Sequence, residues 1–199
     1  LSKKYPLFKI RPKPISLLHS STANLIASES SIVVQESQSG GGSPNYRGME
    51  ANRLLLVVDG TPLNNAIYRS GHMQSSATIN PFFIESVDLV SAPASVAYGN
   101  GAMGGALIFN TLTPFNARGV YFRQQFESSS NAVVTGFKAN YQTQKFAHVT
   151  AFSLKSAGNL KMGNNRFHGY KNWGNEKTIT NNSEQLYTNF SQKIIFLFL

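Results

Sequence analysis

The chain has no cysteine, which removes disulfides, thiolate metal sites and thiol nucleophiles together and leaves the redox compartment undecided. No stretch approaches the roughly 18 to 20 consecutive apolar residues that a membrane-spanning helix needs. Crossing a bilayer by strands stays open, because that signal is only alternating hydrophobicity in pieces of about 10 residues. Charge is sparse: Asp, Glu, Lys and Arg make up 14% of the 199 residues, and 18 basic against 9 acidic side chains leave a formal charge of +9. The basic residues are scattered with no dense block, which argues against a nucleic-acid partner and suits a solvated surface or anionic lipid. His19, His72, His148 and His168 show no HExxH or other close ligand spacing, so no preformed metal site is expected. Asp59, Ser70 and His72 make a poor hydrolytic triad because Ser70 lacks a glycine-flanked elbow. No enzyme is expected. Leu1 opens the chain without a Met or a signal-peptide apolar region, the pattern of a mature protein or a fragment.

What is present suffices for a core. With 41% hydrophobic residues the chain is long enough for one domain, or for a domain plus part of a second. Residues 7–11 read as extended, and Pro12 and Pro14 then delay any helix. Residues 16–27 suit a short helix and 31–36 a strand, while the glycines and serines of 37–44 predict a loop or a close-approach turn. The continuous apolar run over 53–58 ends at Asp59-Gly60, the pattern of a buried strand followed by a turn in which Asp59 caps local backbone donors. Residues 61–81 are polar and aperiodic, and a loop of that length is uncommon unless it is functional. Strands are expected again over 84–90 and 106–110.

Past Pro114 the texture changes to longer alternating segments over 119–127, 132–142 and 146–154. In the second, Val133, Thr135, Phe137, Ala139 and Tyr141 share one face, and Gly136, Lys138, Asn140 and Gln142 the other, as in a two-faced barrel strand. In the third, Ala147, Val149 and Ala151 fall out of phase with Phe152 and Leu154. Turns over 128–131 and 143–145 are short and the segment 156–184 is long, an asymmetry that suits an outer-membrane barrel; judged alone, these strands also suit a soluble sandwich. The terminal apolar run 194–199 reads as the start of a strand or a sticky edge.

The densest signal lies in 84–108, IESVDLVSAPASVAYGNGAMGGALI, where two strand-like runs flank a segment of glycine, alanine and serine. Gly99, Gly101 and Gly104 match G-x-G-x-x-G, but no strand directly precedes and no helix is expected to follow, so a dinucleotide site is not supported. Read with Gly40 to Gly42, Arg47-Gly48, the run ending at Asp59-Gly60, Pro93, Tyr98-Gly99, Ala102 and Gly104-Gly105, the order resembles the plug domain of TonB-dependent outer-membrane receptors. The resemblance implies an α+β plug, a small mixed sheet with short helices, over 5–114. Over 118–199 it implies the first antiparallel strands of an incomplete outer-membrane β-barrel. A barrel of about 22 strands encloses such plugs, so the chain is expected to be the N-terminal part of a longer receptor.

The same resemblance implies ligand-gated, energy-coupled uptake of an iron chelate or haem across the bacterial outer membrane. The expected partners are a TonB-type coupling protein, outer-membrane lipid and a small-molecule ligand, with no nucleic acid. No cofactor is required, and haem or a ferric chelate is the transported ligand. A non-transporting β-rich binding or adhesion module is the alternative. Tyr68, Arg69, His72 and Gln74, in the long polar segment, are the candidate ligand contacts, with His72 placed to ligate haem iron and Tyr68 or Arg69 to hold a carboxylate. Ser86 and Ser91-Ala92 stand where the family usually has Arg and Arg-Gly, so an ion pair between plug and barrel wall is expected to be missing. The coupling motif should precede the plug, and nothing before Tyr5 has its character.

Overall fold

A computed structural model of the chain describes residues 8–11, 21–29, 32–38, 41–49, 53–63, 76–91, 95, 98, 100–115, 119–128, 130–158 and 185–196. Two sheets dominate. The first is five-stranded and mixed: β1 (Phe8–Ile10), β4 (Leu54–Val58), β5 (Thr61–Pro62), β6 (Ile84–Ser91) and β7 (Gly105–Thr111) lie in the order β1-β6-β7-β4-β5. At its centre β4 and β7 run parallel, and β6 returns antiparallel beside β7. Strands buried on both faces need apolar side chains at successive positions, which is why β4 reads as the unbroken run LLLVV.

One face of this sheet, with Leu54, Leu56, Val87, Leu89, Leu107 and Phe109, packs on helix α1 (Thr22–Glu29) and on the hairpin of β2 (Val33–Gln38) and β3 (Gly41–Asn45). Ser21 starts α1, its Oγ accepting the Asn24 N–H at 3.1 Å in place of the backbone partner that a first turn lacks. The expected helix over 16–27 therefore sits later in its described part, ending at Glu29, and 16–20 lie outside the described residues. The opposite face, with Leu55, Val57, Val90, Ala106 and Ile108, is covered by Tyr98 and Ala102. Asn100–Ala102 is a single 3-10 turn running into β7, with no helix to cradle a nucleotide.

The loop expected over 37–44 is corrected in part: Gly41 to Asn45 pair antiparallel with β2. The glycines serve close approach here, since a Cβ on Gly42 would collide with Ala23 and Val34.

The second sheet is an antiparallel meander of β8 (Gly119–Glu127), β9 (Ala132–Gln142), β10 (Phe146–Ala157) and β11 (Gln185–Phe196), in the order β11-β10-β9-β8. β8 and β9 have the predicted bounds. β10 runs three residues further than expected, and β11 corrects the reading of 194–199 as a strand's start, because the strand begins at Gln185 and Ile194 to Phe196 are its end. Thr188, Asn189, Ser191, Gln192 and Lys193 blunt the alternation that would announce it, and register with β10 from Ala157↔Gln185 to Phe146↔Phe196 holds it. Among the described residues no helix is long and apolar enough to cross a membrane, which says nothing about strands.

The meander's two faces differ. All four phenylalanines that register aligns across the four strands, Phe122, Phe137, Phe152 and Phe190, point away from the mixed sheet. Phe122 is 69% exposed and Phe190 66%. The inward face of β9 and β10 is small or polar and buried: Ala132, Val134, Gly136 and Asn140, with Ala147, Val149, Ala151, Ser153 and Lys155. The irregular phase of 146–154 follows, since inward Val149 and outward Phe152 each meet an apolar neighbourhood.

Candidate functional site: the seam between the two sheets

The mixed sheet meets the inward face of the meander through a short turn. Pro81–Phe83 is a 3-10 turn with Asn80 as its cap, whose Oδ1 accepts the Phe82 N–H at 3.0 Å, while Pro81 supplies a backbone already set for the first turn. This local geometry drives Phe82 and Phe83 into Val134, Val149 and Ala151 of the meander, with Leu112 packed alongside. Gly136 leaves the room: a Cβ there would overlap the Phe82 ring. The Asn80 Oδ1 also accepts from Ser153 Oγ at 3.2 Å, so the cap of the turn is itself fastened to β10. Beside it lies a narrow crevice lined by Ser21, Thr22, Pro81, Ser153, Lys155 and Tyr187. Lys155 reaches Glu127 across the inward face at 3.4 Å.

A second fastening lies where β4 ends. Asp59 and Gly60 have φ of 47° and 86°, and Val58 pairs with Thr61. Two positive φ angles in a two-residue connection are the signature of a type I′ hairpin turn, for which Asp-Gly is a preferred sequence. The Asp59 carboxylate, expected to cap local donors, instead accepts the Thr111 N–H at 2.9 Å and the Thr111 hydroxyl at 2.5 Å, 52 residues along the chain. Lys193 of β11 donates to the same carboxylate at 2.9 Å and to Thr111 Oγ1 at 2.5 Å. Partial burial alone would raise the Asp59 pKa, but the bonds from Thr111 and Lys193 outweigh it and hold the carboxyl below its ordinary value. Ser86, where the resemblance led to the expectation of a missing cation, is buried and accepts from Asn110 at 3.1 Å. The ion pair between the sheets thus comes from other residues, with the anion on the mixed sheet and the cation on the meander.

The motif residues serve shape. Arg47 and Gly48 occupy a tight turn at φ 53° and 77°, between the bridged residues Tyr46 and Met49, and the exposed Arg47 guanidinium lies 5.1 Å from the Tyr46 ring centre. Gly104 and Gly105 allow β7 to approach its neighbours: a Cβ on Gly104 would press on Met49 and on Arg53 O, and one on Gly105, at φ 145°, on Val90 O. Tyr98 packs half-buried on the second face of the sheet. Pro93 and Gly99 lie outside the described residues, as do all four candidate ligand contacts, Tyr68, Arg69, His72 and Gln74. Among the described residues no group of three potential metal ligands comes together.

Sequence reasoning missed Asn80, Phe82, Gly136, Ser153 and Lys193. Only Asn80-Pro81 carries a local signal, a capping residue followed by a proline suited to a first turn. The others matter through partners far along the chain.

Residues 17–106 match the TonB-dependent Receptor Plug Domain family. A hemin receptor of Yersinia pestis is 26% identical over 141 residues, 68% of this chain and 20% of that protein. The heme transporter BhuA of Brucella ovis is 33% identical over 108 residues, 52% of this chain and 14% of that protein. Among solved structures, the FrpB iron transporter of Neisseria meningitidis superposes with a TM-score of 0.64 at 22% identity, over 87% of this chain and 26% of its own. The chain therefore spans about a seventh to a quarter of the length of these relatives, which are described as receptors and transporters. The described strands form the fold that superposes on the FrpB structure: a mixed sheet with few helices, then antiparallel strands of a barrel left unclosed. Residues 17–106 are thus similar to the plug domain of TonB-dependent receptors, and the four antiparallel strands β8 to β11 follow that matched stretch.

Proposed function

We propose that the chain is the gate and first wall segment of an outer-membrane receptor that takes up haem or a ferric chelate, driven through a TonB-type coupling protein. One observation carries this reading: a plug-family sheet is seated on the small, polar face of strands whose other face is large, apolar and exposed. A soluble sandwich would bury its large side chains between sheets, whereas a barrel wall turns them to lipid and keeps the polar side within. The haem cargo is supported by the names of the relatives, a hemin receptor and a heme transporter. These relatives favour uptake over the adhesion alternative. The seam performs no chemistry on cargo. It holds a removable stopper, and the protein needs no resident cofactor.

The segment between Leu63 and Ser76 carries the proposed ligand contacts. Its two ends are fixed: Leu63 N–H donates to Leu56 O at 2.8 Å and Ser76 Oγ to Gly42 O at 3.2 Å. A recognition segment anchored at both ends on a rigid sheet is the usual way a loop carries binding. His72 is proposed to ligate haem iron, with Tyr68, Arg69 and Gln74 contacting polar groups of the ligand. In the complete receptor, hemin titration should give a saturating Soret shift that His72→Ala abolishes. An unchanged spectrum in the variant would reject His72, and failure of the unaltered receptor to bind hemin would reject haem as cargo.

A further inference from the structure

We infer that Lys193 and the Pro81–Phe83 turn form a two-point clamp that keeps the plug seated on β9 to β11 throughout transport, so that any passage opens on another side of the plug. The inference rests on the reading of the chain as a gate. Its first point is the Asp59, Thr111 and Lys193 cluster, its second the Asn80 to Ser153 bond with Phe82 inserted over Gly136. Register places Lys193 opposite Val149 and Asn189 opposite Ser153, so the two points lie four residues apart along the wall, about 13 Å at strand rise. Two separated fastenings resist rotation as well as separation. Val149 and Ala151 lie between them at 0% exposure, closed under the two phenylalanines.

The covalent path points to the same corner. Thr111, which Lys193 holds, is the last residue of β7, and residues 112–118 alone join it to β8. A plug leaving the wall here would strain its own attachment, whereas the far edge is held lightly. There, among the described residues, β1 pairs with β6 through three register positions, with Lys9 and Asp88 3.4 Å apart. The weaker edge yields first under any load, and the clamp stays. Lys193 is thus a positioning residue: it acts through Asp59 and Thr111 and touches no cargo.

The test uses the complete receptor with Asn80→Cys and Ser153→Cys; residues 1–199 contribute no other thiol. Hemin uptake by energised cells is compared between the oxidised and reduced forms of this one variant. The clamp predicts that locking the seam leaves uptake intact. Uptake lost on oxidation and recovered with reductant would overturn it. A second arm needs no cargo and stands even if the haem reading fails: Lys193→Ala should loosen the seam and sensitise cells to vancomycin, a solute too large for an intact plugged pore, and Lys193→Arg should restore exclusion by reaching the same carboxylate. Unchanged vancomycin sensitivity in Lys193→Ala would overturn the clamp regardless of what the receptor carries.

Discussion

The mixed sheet and the meander solve opposite problems with the same side chains. β4 and β7 hide apolar residues on both faces, and Leu56, Val57, Leu107 and Phe109 are at 0% exposure. The meander spends its large apolar residues outward, where Val120, Phe122 and Phe126 of β8 are all more than 60% exposed, and keeps alanine, glycine and serine for the side that is covered. The first sheet is held together by its own core. The second has little core of its own and depends on what lies on each of its faces, plug on one and, in the proposed reading, lipid on the other. Hydrophobicity therefore does not mark the inside of this molecule everywhere; at the wall it marks the outside.

Three changes test that contrast. The largest effect is expected for Phe109→Ala, which empties a fully buried site in the sheet held by its own core and should cost about 3 to 5 kcal/mol in denaturant titration. A loss well under that would mean the plug collapses around the gap and is less tightly packed than its burial implies. Next, Phe137→Lys places a charge in the outward aromatic row; for a lipid-facing site near the membrane centre it should cost about 2 to 4 kcal/mol of folding into bilayers. A neutral result would place that face in water and break the comparison. The smallest effect concerns pH. A carboxyl whose folded pKa is depressed stabilises above its unfolded pKa and loses that contribution as pH falls through the folded value. Seating of the plug should thus weaken as pH drops below about 4, the ordinary aspartate range, and a pH series of thermal unfolding should show a shallower acid limb for Asp59→Asn than for the native protein. The partly exposed carboxylate keeps this effect small.

Much of the architecture was legible because its causes are local. The β4 run, β6, β7 and the alternation of β8 and β9 announce themselves by period, and Asp59-Gly60 announces a turn that both positive φ values require. β11 was hidden because its first nine residues are mostly polar and gain order only from register with β10. Over 37–44 the glycines announce a close approach, which Gly42 makes to Ala23 and Val34, but not the pairing of Gly41 to Asn45 with β2, which depends on a strand partner rather than on neighbouring residues. The out-of-phase residues of β10 have a cause outside the strand: Phe82 and Phe83 supply the apolar partner for its inner face.

By itself the sequence determined that β4, β6, β7, β8 and β9 become strands, that the chain turns at Asp59-Gly60, and that glycine, alanine and serine build shape around β7, because propensity, periodicity and positive φ act over a few residues. Only the tertiary structure decided which face of each wall strand is covered and what fastens the two sheets. The Asp59 carboxylate finds Thr111 and Lys193 after separations of 52 and 134 residues, and the strength of such contacts is set by distance and exposure in the folded chain, neither of which is written in the order of residues along it.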